Sequence, residues 1–387
     1  MSTTATELWR GPVRGGYPEP WMLSISGPER FRAWSRGAAP PPPLFHLTGA
    51  AFAGFGDGTS EAVMPASPWL ANSVGLLSGG TLSILADIAF GCALETKLPA
   101  GVPYTTAELS LTFLAPVRPG PTTDPSRPGG TLSAHGQAIH VGRSLGLTEA
   151  FIFDQSGERL AAHGTSRLAI MPPIDGLPEP PPELPSHPFD STDHDPFRRP
   201  PPEDAVLPQE VFDELGGREI LERQIRGELP PPAIHHLTGM RPTEVGEDNT
   251  THVMPASEWL QSPARRLQGG TIAMLADAGL LSAIWTTTPA GTAIAGLDLK
   301  ANFLRPVIGD GRDLVCHAEV EHSGRTLAIA RARVENADGK PVLLATGSAM
   351  YLPGRPASLG ADEELPGAAA GRIESGDLRG RAEGDWG

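Results

Sequence analysis

The sequence predicts an α+β protein made of two similar units, each an apolar helix followed by an antiparallel meander. Three observations carry this. The chain repeats itself: His46-Leu47-Thr48-Gly49 recurs as His236-Leu237-Thr238-Gly239, Met64-Pro65-Ala66-Ser67 as Met254-Pro255-Ala256-Ser257, and Phe113-Leu114 with Pro116-Val117 as Phe303-Leu304 with Pro306-Val307, all at an offset of 190 (236 − 46). One segment in each copy is apolar on nearly every side. A strand-like alternation then follows it in both copies.

The copies run from Gly27 to Pro172 and from Gly217 to Pro353. Each opens on a short charged helical stretch ending at Arg36-Gly37 or Arg226-Gly227, then a proline run, with room for a strand or two before the main helix. That helix begins at Gly79-Gly80 and continues through Leu94, with Leu82, Ile84, Leu85, Ile88, Phe90 and Ala93 leaving almost no polar face; its twin follows Gly269-Gly270 through Trp285. A helix apolar all round must be buried on most sides. Leu109, Leu111 and Phe113 then alternate with Glu108, Ser110 and Thr112, as Leu297, Leu299, Ala301 and Phe303 do with Asp298, Lys300 and Asn302, which is the period of a half-buried strand. Two more strand-like runs, Ser144–Phe153 and Arg159–Met171, are joined by Asp154-Gln155-Ser156-Gly157, hairpin chemistry matched by Asn336-Ala337-Asp338-Gly339. Between the second pair of repeats the offset falls to 182 (322 − 140), placing about eight extra residues of copy one in the loop Pro119–Gly130.

Composition assigns the rest. The 387 residues include 46 Gly and 42 Pro. The segment 173–216 is rich in Pro, Asp and Glu and reads as a linker, and 1–26 and 354–387 read as disordered tails, because such stretches bury too little apolar area to offset their ordering entropy. The formal net charge of −15 disfavours nucleic acid. Two cysteines, Cys92 and Cys316, are too few for a disulfide framework and lack zinc-site spacing. The N-terminus has no apolar run of signal-peptide type, and no stretch reads as long enough to span a bilayer, so the expectation is a cytoplasmic protein.

One carboxylate interrupts each apolar helix, Asp87 in Leu85-Ala86-Asp87 and Asp277 in Leu275-Ala276-Asp277. Burying an ionised carboxylate costs several kcal/mol unless it is paired or hydrogen-bonded. Recurrence at the same place therefore points either to a structural hydrogen bond or to a general base or nucleophile in a dry cleft. Gly79-Gly80 and Gly269-Gly270 offer unpaired backbone N–H groups at a helix N-terminus, where an oxyanion is stabilised; the simpler reading is close packing at the helix entry. Asp87 lies eight residues beyond Gly79, about 12 Å along the axis, so one helix cannot present both groups to one carbonyl. A second helix packed antiparallel can.

The ordered set Asn72-Ser73-Val74-Gly75-Leu76-Leu77-Ser78-Gly79-Gly80, Leu85-Ala86-Asp87, Phe113-Leu114-Ala115-Pro116-Val117 and Gly142-Arg143-Ser144, matched by Gln268-Gly269-Gly270, Leu275-Ala276-Asp277, Phe303-Leu304-Arg305-Pro306-Val307 and Gly324-Arg325-Thr326, resembles the hotdog-fold acyl-CoA thioesterases of the phenylacetate-degradation type. The resemblance covers both copies. It implies a long helix wrapped by an antiparallel sheet in each copy, an internal pseudo-dimer with sites at the interface, and no metal or redox cofactor beyond the coenzyme A of the substrate. It also implies that Asp277 serves the site of Asn72, Gly79 and Gly80, and that Asp87 serves the site of Gly269 and Gly270. By the same resemblance Arg143 and Arg325 lie near the CoA nucleotide, against the bland reading of exposed turn arginines. Ser78 and Gln268 stand where the family has His, Ser262 where it has Asn, and Arg265 where it has Gly, so the two sites are expected to be unequal and the Asn72, Gly79, Asp277 site the more active. Partner expectations are an acyl-CoA, no nucleic acid, no membrane span, and a homodimer of the double chain as an open possibility. The alternatives are an acyl-CoA-binding hotdog protein that has lost its chemistry and, ranked lower, a hotdog hydratase.

Overall fold

The computed structural model describes residues 7–120, 130–187 and 200–359. The first copy supplies α1 (Gly27–Ser35), α2 (Pro43–Thr48), β1 (Ala51–Gly56), β2 (Thr59–Pro65), α3 (Gly79–Glu95), β3 (Tyr104–Phe113), β4 (Thr131–Val141), β5 (Leu145–Phe153) and β6 (Leu160–Ile170). After α4 (Gln209–Glu214) the second copy repeats the series as α5 (Gly217–Ile225), α6 (Ala233–Thr238), β7 (Arg241–Val245), β8 (Asn249–Pro255), α7 (Gly269–Thr286), β9 (Thr292–Phe303), β10 (Asp313–Ser323), β11 (Leu327–Glu335) and β12 (Pro341–Pro353).

All twelve strands form one sheet in the order β1-β2-β4-β5-β6-β3-β9-β12-β11-β10-β8-β7. The second half of that order is the mirror of the first, and the halves join where β3 pairs antiparallel with β9. Ser110 faces Lys300 in that pairing. These two residues are repeat equivalents (300 − 110 = 190), so the local two-fold passes between them. Each half is thus a long helix wrapped by six antiparallel strands, the hotdog arrangement expected of it.

The two apolar helices bury their carboxylates and their glycines against each other. Gln268 donates from Nε2 to the Ile84 carbonyl at 2.9 Å, and Ser83 Oγ donates to the Gly270 carbonyl at 2.7 Å. A Cβ on Gly80 would lie 2.7 Å from Met274 Cα, and one on Gly270 would lie 2.3 Å from the Ser83 carbonyl oxygen. Because backbone cannot yield as a flexible side chain can, Gly80→Ala and Gly270→Ala are each expected to lower unfolding stability by about 1–3 kcal/mol. Urea midpoints equal to that of the unmodified protein would contradict this packing.

Several features depart from expectation. β4 did not stand out as a strand: its inward residues Leu132, Ala134 and Gly136 are mostly small, because a Cβ at Gly136 would meet the Ala89 carbonyl of α3 at 2.4 Å. Residues 7–26, read as tail, contain two short 3₁₀ turns, Leu8–Arg10 and Pro20–Ser24, with Trp21 and Met22 buried beside Ala33, Ala38 and Ala39. Residues 200–216, read as linker, contain α4, whose Phe212 is buried and stacks on Trp285 at 6.1 Å between ring centroids. Isolated large apolar residues inside a polar stretch are enough to dock it onto a folded unit. Residues 173–187 and 354–359 of the expected linker and tail also touch the fold, the His187 N–H donating to the Gly37 carbonyl at 2.7 Å and Ala357 being buried, while 1–6, 188–199, 360–387 and most of the Pro119–Gly130 loop (121–129) lie outside the described residues. Helix α7 is, by length and hydropathy, apolar enough to cross a bilayer, contrary to the reading that no stretch is; 72 % of it is buried inside the fold.

Candidate active site

The antiparallel helix pair brings each aspartate to the other helix's N-terminus. Asp277 Oδ2 accepts the Gly80 N–H at 2.7 Å, and Asp87 Oδ2 accepts the Gly270 N–H at 3.1 Å. The groups that one helix holds about 12 Å apart thus meet across the pair, in the crossed combination that the resemblance implies.

The two sites differ in what each carboxylate has left to offer. Asp87 holds three donors: Oδ1 accepts from Thr106 Oγ1 at 2.8 Å, and the Gly269 N–H adds to that of Gly270. Thr106 has Gly296 as its repeat equivalent, so Asp277 has no such hydroxyl. Its only protein donor among the described residues is the Gly80 N–H, which leaves Oδ1 free. With Asp277 2 % exposed, burial, reinforced by the neighbouring Asp298, pushes its carboxyl up to about 7. Burial raises Asp87 too, but three donors oppose it. The Gly79 N–H, first in α3, is likewise without a partner among the described residues, since Thr81 takes the Ser78 cap and Gly80 takes Asp277. The Phe113 ring covers Gly79 so closely that a Cβ there would lie 2.3 Å from its Cζ.

A cavity of about 240 Å³ opens on this free pair, its wall including Asn72, Gly79, Phe113, Asp277 and Leu281. Around Asp87 the equivalent wall is built of larger groups. Leu221, Gln224, His235, Pro242 and Ile294 of the cavity correspond to Phe31, Trp34, Phe45, Phe52 and Tyr104. The Phe52 ring packs edge-on against Phe31, Trp34 and Phe45 at 5.6, 5.2 and 5.1 Å. Tyr104 lies over Gly91 and donates to Glu95 at 3.2 Å, where Glu95 is paired with Arg30 at 3.1 Å. The N-terminal segment reaches the same end: Tyr17 donates to Gln261, and Arg265 lies 4.5 Å over the Tyr17 ring. Arg265 holds the left-handed conformation (φ 56°) that Gly75 (φ 78°) holds in the first copy, a strained choice that places a cation on that ring.

The other expected site residues divide. Asn72 lines the cavity, with Oδ1 accepting from the N–H groups of Val74 and Leu76 at 3.1 and 3.0 Å, which fixes the loop before α3. Ser78 also lines it but acts as the N-cap of α3, accepting from Thr81. Gln268 caps α7 through Oε1 and spends Nε2 on Ile84, so both its ends are engaged by protein. Arg143 and Arg325 sit in the exposed β4–β5 and β10–β11 turns, and neither lines the cavity. Sequence reasoning missed Thr106, His235, His252 and Ser282. The signal for the last three was available as non-identity: they stand opposite Phe45, Ala62 and Cys92 in otherwise parallel repeats.

The Thioesterase superfamily model matches residues 74–161 and 266–343, once in each copy. No curated protein matches the chain. Among solved structures, the tesB protein of Mycobacterium avium subspecies paratuberculosis is 13 % identical over 80 % of this chain and 98 % of that one, with a TM-score of 0.48. Acyl-CoA thioesterase II TesB2 from Mycobacterium marinum is 11 % identical over 83 % of this chain and 99 % of its own, at a TM-score of 0.45. A phenylacetic acid degradation-related protein from Ralstonia eutropha JMP134 is 27 % identical over 34 % of this chain and 98 % of its own, at a TM-score of 0.32.

Proposed function

We propose that this chain, a thioester hydrolase of the thioesterase superfamily with two hotdog domains in tandem, cleaves acyl-CoA to free acid and coenzyme A at its Asp277 site. The observation that carries the reading is the pairing of a free carboxylate oxygen on Asp277 with an unpartnered Gly79 N–H on the wall of one cavity. The thioester carbonyl oxygen, set against the Gly79 N–H, receives the negative charge that develops when its carbon is attacked. Asp277 either accepts the proton of an attacking water or attacks the carbon itself, and in both routes the C–S bond breaks and the thiolate leaves. The overall change is the same: one water is consumed, the carbonyl gains its oxygen, and sulfur takes a proton. A free backbone N–H adjacent to a carboxylate suits carbonyl chemistry because the donor needs no reorganisation as charge develops.

Both routes need Asp277 ionised. With its carboxyl at about 7, kcat/KM for thiol release should rise as pH increases from 5.5, bend near 7 and level off above 8. The test is release of free thiol from short, medium, long and aromatic acyl-CoAs across that range. Tight binding of CoA esters with no thiol released would replace this reading with that of a binding protein, and a profile that is flat from pH 5.5 to 8.5 would remove Asp277 from the chemistry.

A further inference from the structure

We infer that the Asp277 cavity contains a second, polar subsite, formed by His252, His235 and Ser282, that selects acyl groups carrying a hydroxyl some distance from the thioester. The inference rests on the thioesterase reading for the identity of the ligand, but its own ground is separate. Apart from the catalytic end, the cavity wall is largely apolar, with Leu82, Met240, Leu281 and Ile294 among its residues. Three polar side chains interrupt it together. His252, on β8, is 2 % exposed; its Nε2 and Ser282 Oγ are 3.3 Å apart, and its Nδ1 has no partner among the described residues. A buried polar atom left unpaired costs about 1–3 kcal/mol, and the side chain that carries this one lines the cavity.

The chemistry of these groups narrows what they accept. Burial holds His235 down to about 3 and His252 down to about 4, so both imidazoles are neutral. A neutral imidazole presents one donor and one acceptor, and Ser282 completes its hydrogen bond to Nε2 in either tautomer. A hydroxyl, itself donor and acceptor, fits Nδ1 in both cases. A carboxylate would find no cation there and would lose its hydration, and a terminal methyl would leave Nδ1 unpaired. Position follows from the helix: Ser282 is five residues beyond Asp277 on α7, about 7.5 Å along the axis at 1.5 Å per residue. Those five residues also turn about 140° around the helix at 3.6 per turn, so the fitted hydroxyl lies farther than that axial distance from the reacting carbon.

The repeat supplies a comparison inside the same molecule. In the copy surrounding Asp87 the equivalents of His235, His252 and Ser282 are Phe45, Ala62 and Cys92. All three polar groups occur at the site with the cavity and the free carboxylate oxygen, and all three are apolar or weakly polar at the site whose aspartate holds three donors. Three coordinated differences in two otherwise parallel frameworks mark a property of the ligand pocket, since the framework itself is met by either set.

The test compares matched pairs on the full-length protein: hexanoyl-CoA and octanoyl-CoA against their terminally hydroxylated forms. The expected ratio of kcat/KM, hydroxylated over plain, exceeds 10 for at least one chain length, as a gained buried hydrogen bond affords. His252→Ala, and independently Ser282→Ala, should bring that ratio to within about threefold of one; the second variant removes a single oxygen and guards against misfolding of the first. Equal kcat/KM for both members of each pair overturns the subsite and leaves thioester hydrolysis standing. No turnover of either member, with calorimetry showing at least tenfold tighter binding of the hydroxylated thioester, keeps the subsite and overturns hydrolysis. Absence of both turnover and preference overturns the two together.

Discussion

Asp277→Asn is expected to lower thiol release from acyl-CoA by about 100- to 10,000-fold, the range spanned by loss of a positioned base, while Asp87→Asn lowers it far less. The asymmetry follows from hydrogen bonding. Asn has nearly the shape of Asp and its Oδ1 still accepts the Gly80 N–H, so Asp277→Asn keeps the helix contact while removing the carboxylate proposed to take a proton or attack carbon. Asp87 has Thr106 on Oδ1, the Gly270 N–H on Oδ2 and the Gly269 N–H as a third donor, and its surroundings are packed by Phe31, Trp34, Phe45 and Phe52. Each of those donors stabilises the ionised carboxylate and so weakens it as a base and as a nucleophile. Circular dichroism and elution volume must match the unmodified protein for the comparison to stand. Equal losses in the two single variants would assign chemistry to both ends of the helix pair and overturn the ranking.

The crossed pairing of aspartate and Gly-Gly was legible because it follows from arithmetic: eight residues of helix separate groups that must meet at one carbonyl, so a second helix is required. The buried helices were legible for a similarly local reason, an apolar surface with one carboxylate in it. What escaped was whatever depends on contact between distant segments. β4 was hidden by the residues that fit it to α3, since Gly136 and Ala134 carry little of the hydrophobic signal that marks a strand. The N-terminal segment was averaged into a tail, yet Trp21, Met22 and Tyr17 each find a place on folded structure. Inequality of the two sites was legible from Ser262 and Arg265, but its cause was not. It lies in Thr106 against Gly296, one hydroxyl that donates to the carboxylate in one copy and is missing in the other, and in a set of aromatic residues that is visible only when the repeats are aligned for their differences. A repeat read for identity locates the framework, and read for non-identity locates the pocket.

The same Asp277→Asn variant should also be more stable than the unmodified protein at alkaline pH, and the sign can be worked out from the carboxyl's shift. In the unfolded chain Asp277 titrates near 3.8, and in the fold near 7. Below 3.8 the group is neutral in both states and contributes no charge burial. Between 3.8 and 7 unfolding releases a proton, so stability falls as pH rises, and above 7 the loss is complete because the folded state now holds a buried carboxylate. A shift of about three units corresponds to a ceiling of roughly 4 kcal/mol, reduced by whatever water reaches Oδ1 through the cavity. Asn at this position has no proton to release, and every other titration is common to both proteins, so the difference in unfolding free energy should be near its smallest at pH 4, widen through pH 5.5 and 7, and be constant between 8 and 9. Urea unfolding of the two proteins at those pH values measures it. A gap that stays constant from pH 4 to 9 would mean that the carboxylate is not held in a desolvated place, and would withdraw both its raised pKa and the pH profile proposed for catalysis. A widening gap ties the two together: the desolvation that costs the fold stability above neutral pH is the same desolvation that would make Asp277 basic enough for the proposed action on a thioester, the exchange of stability for activity expected of a buried catalytic group.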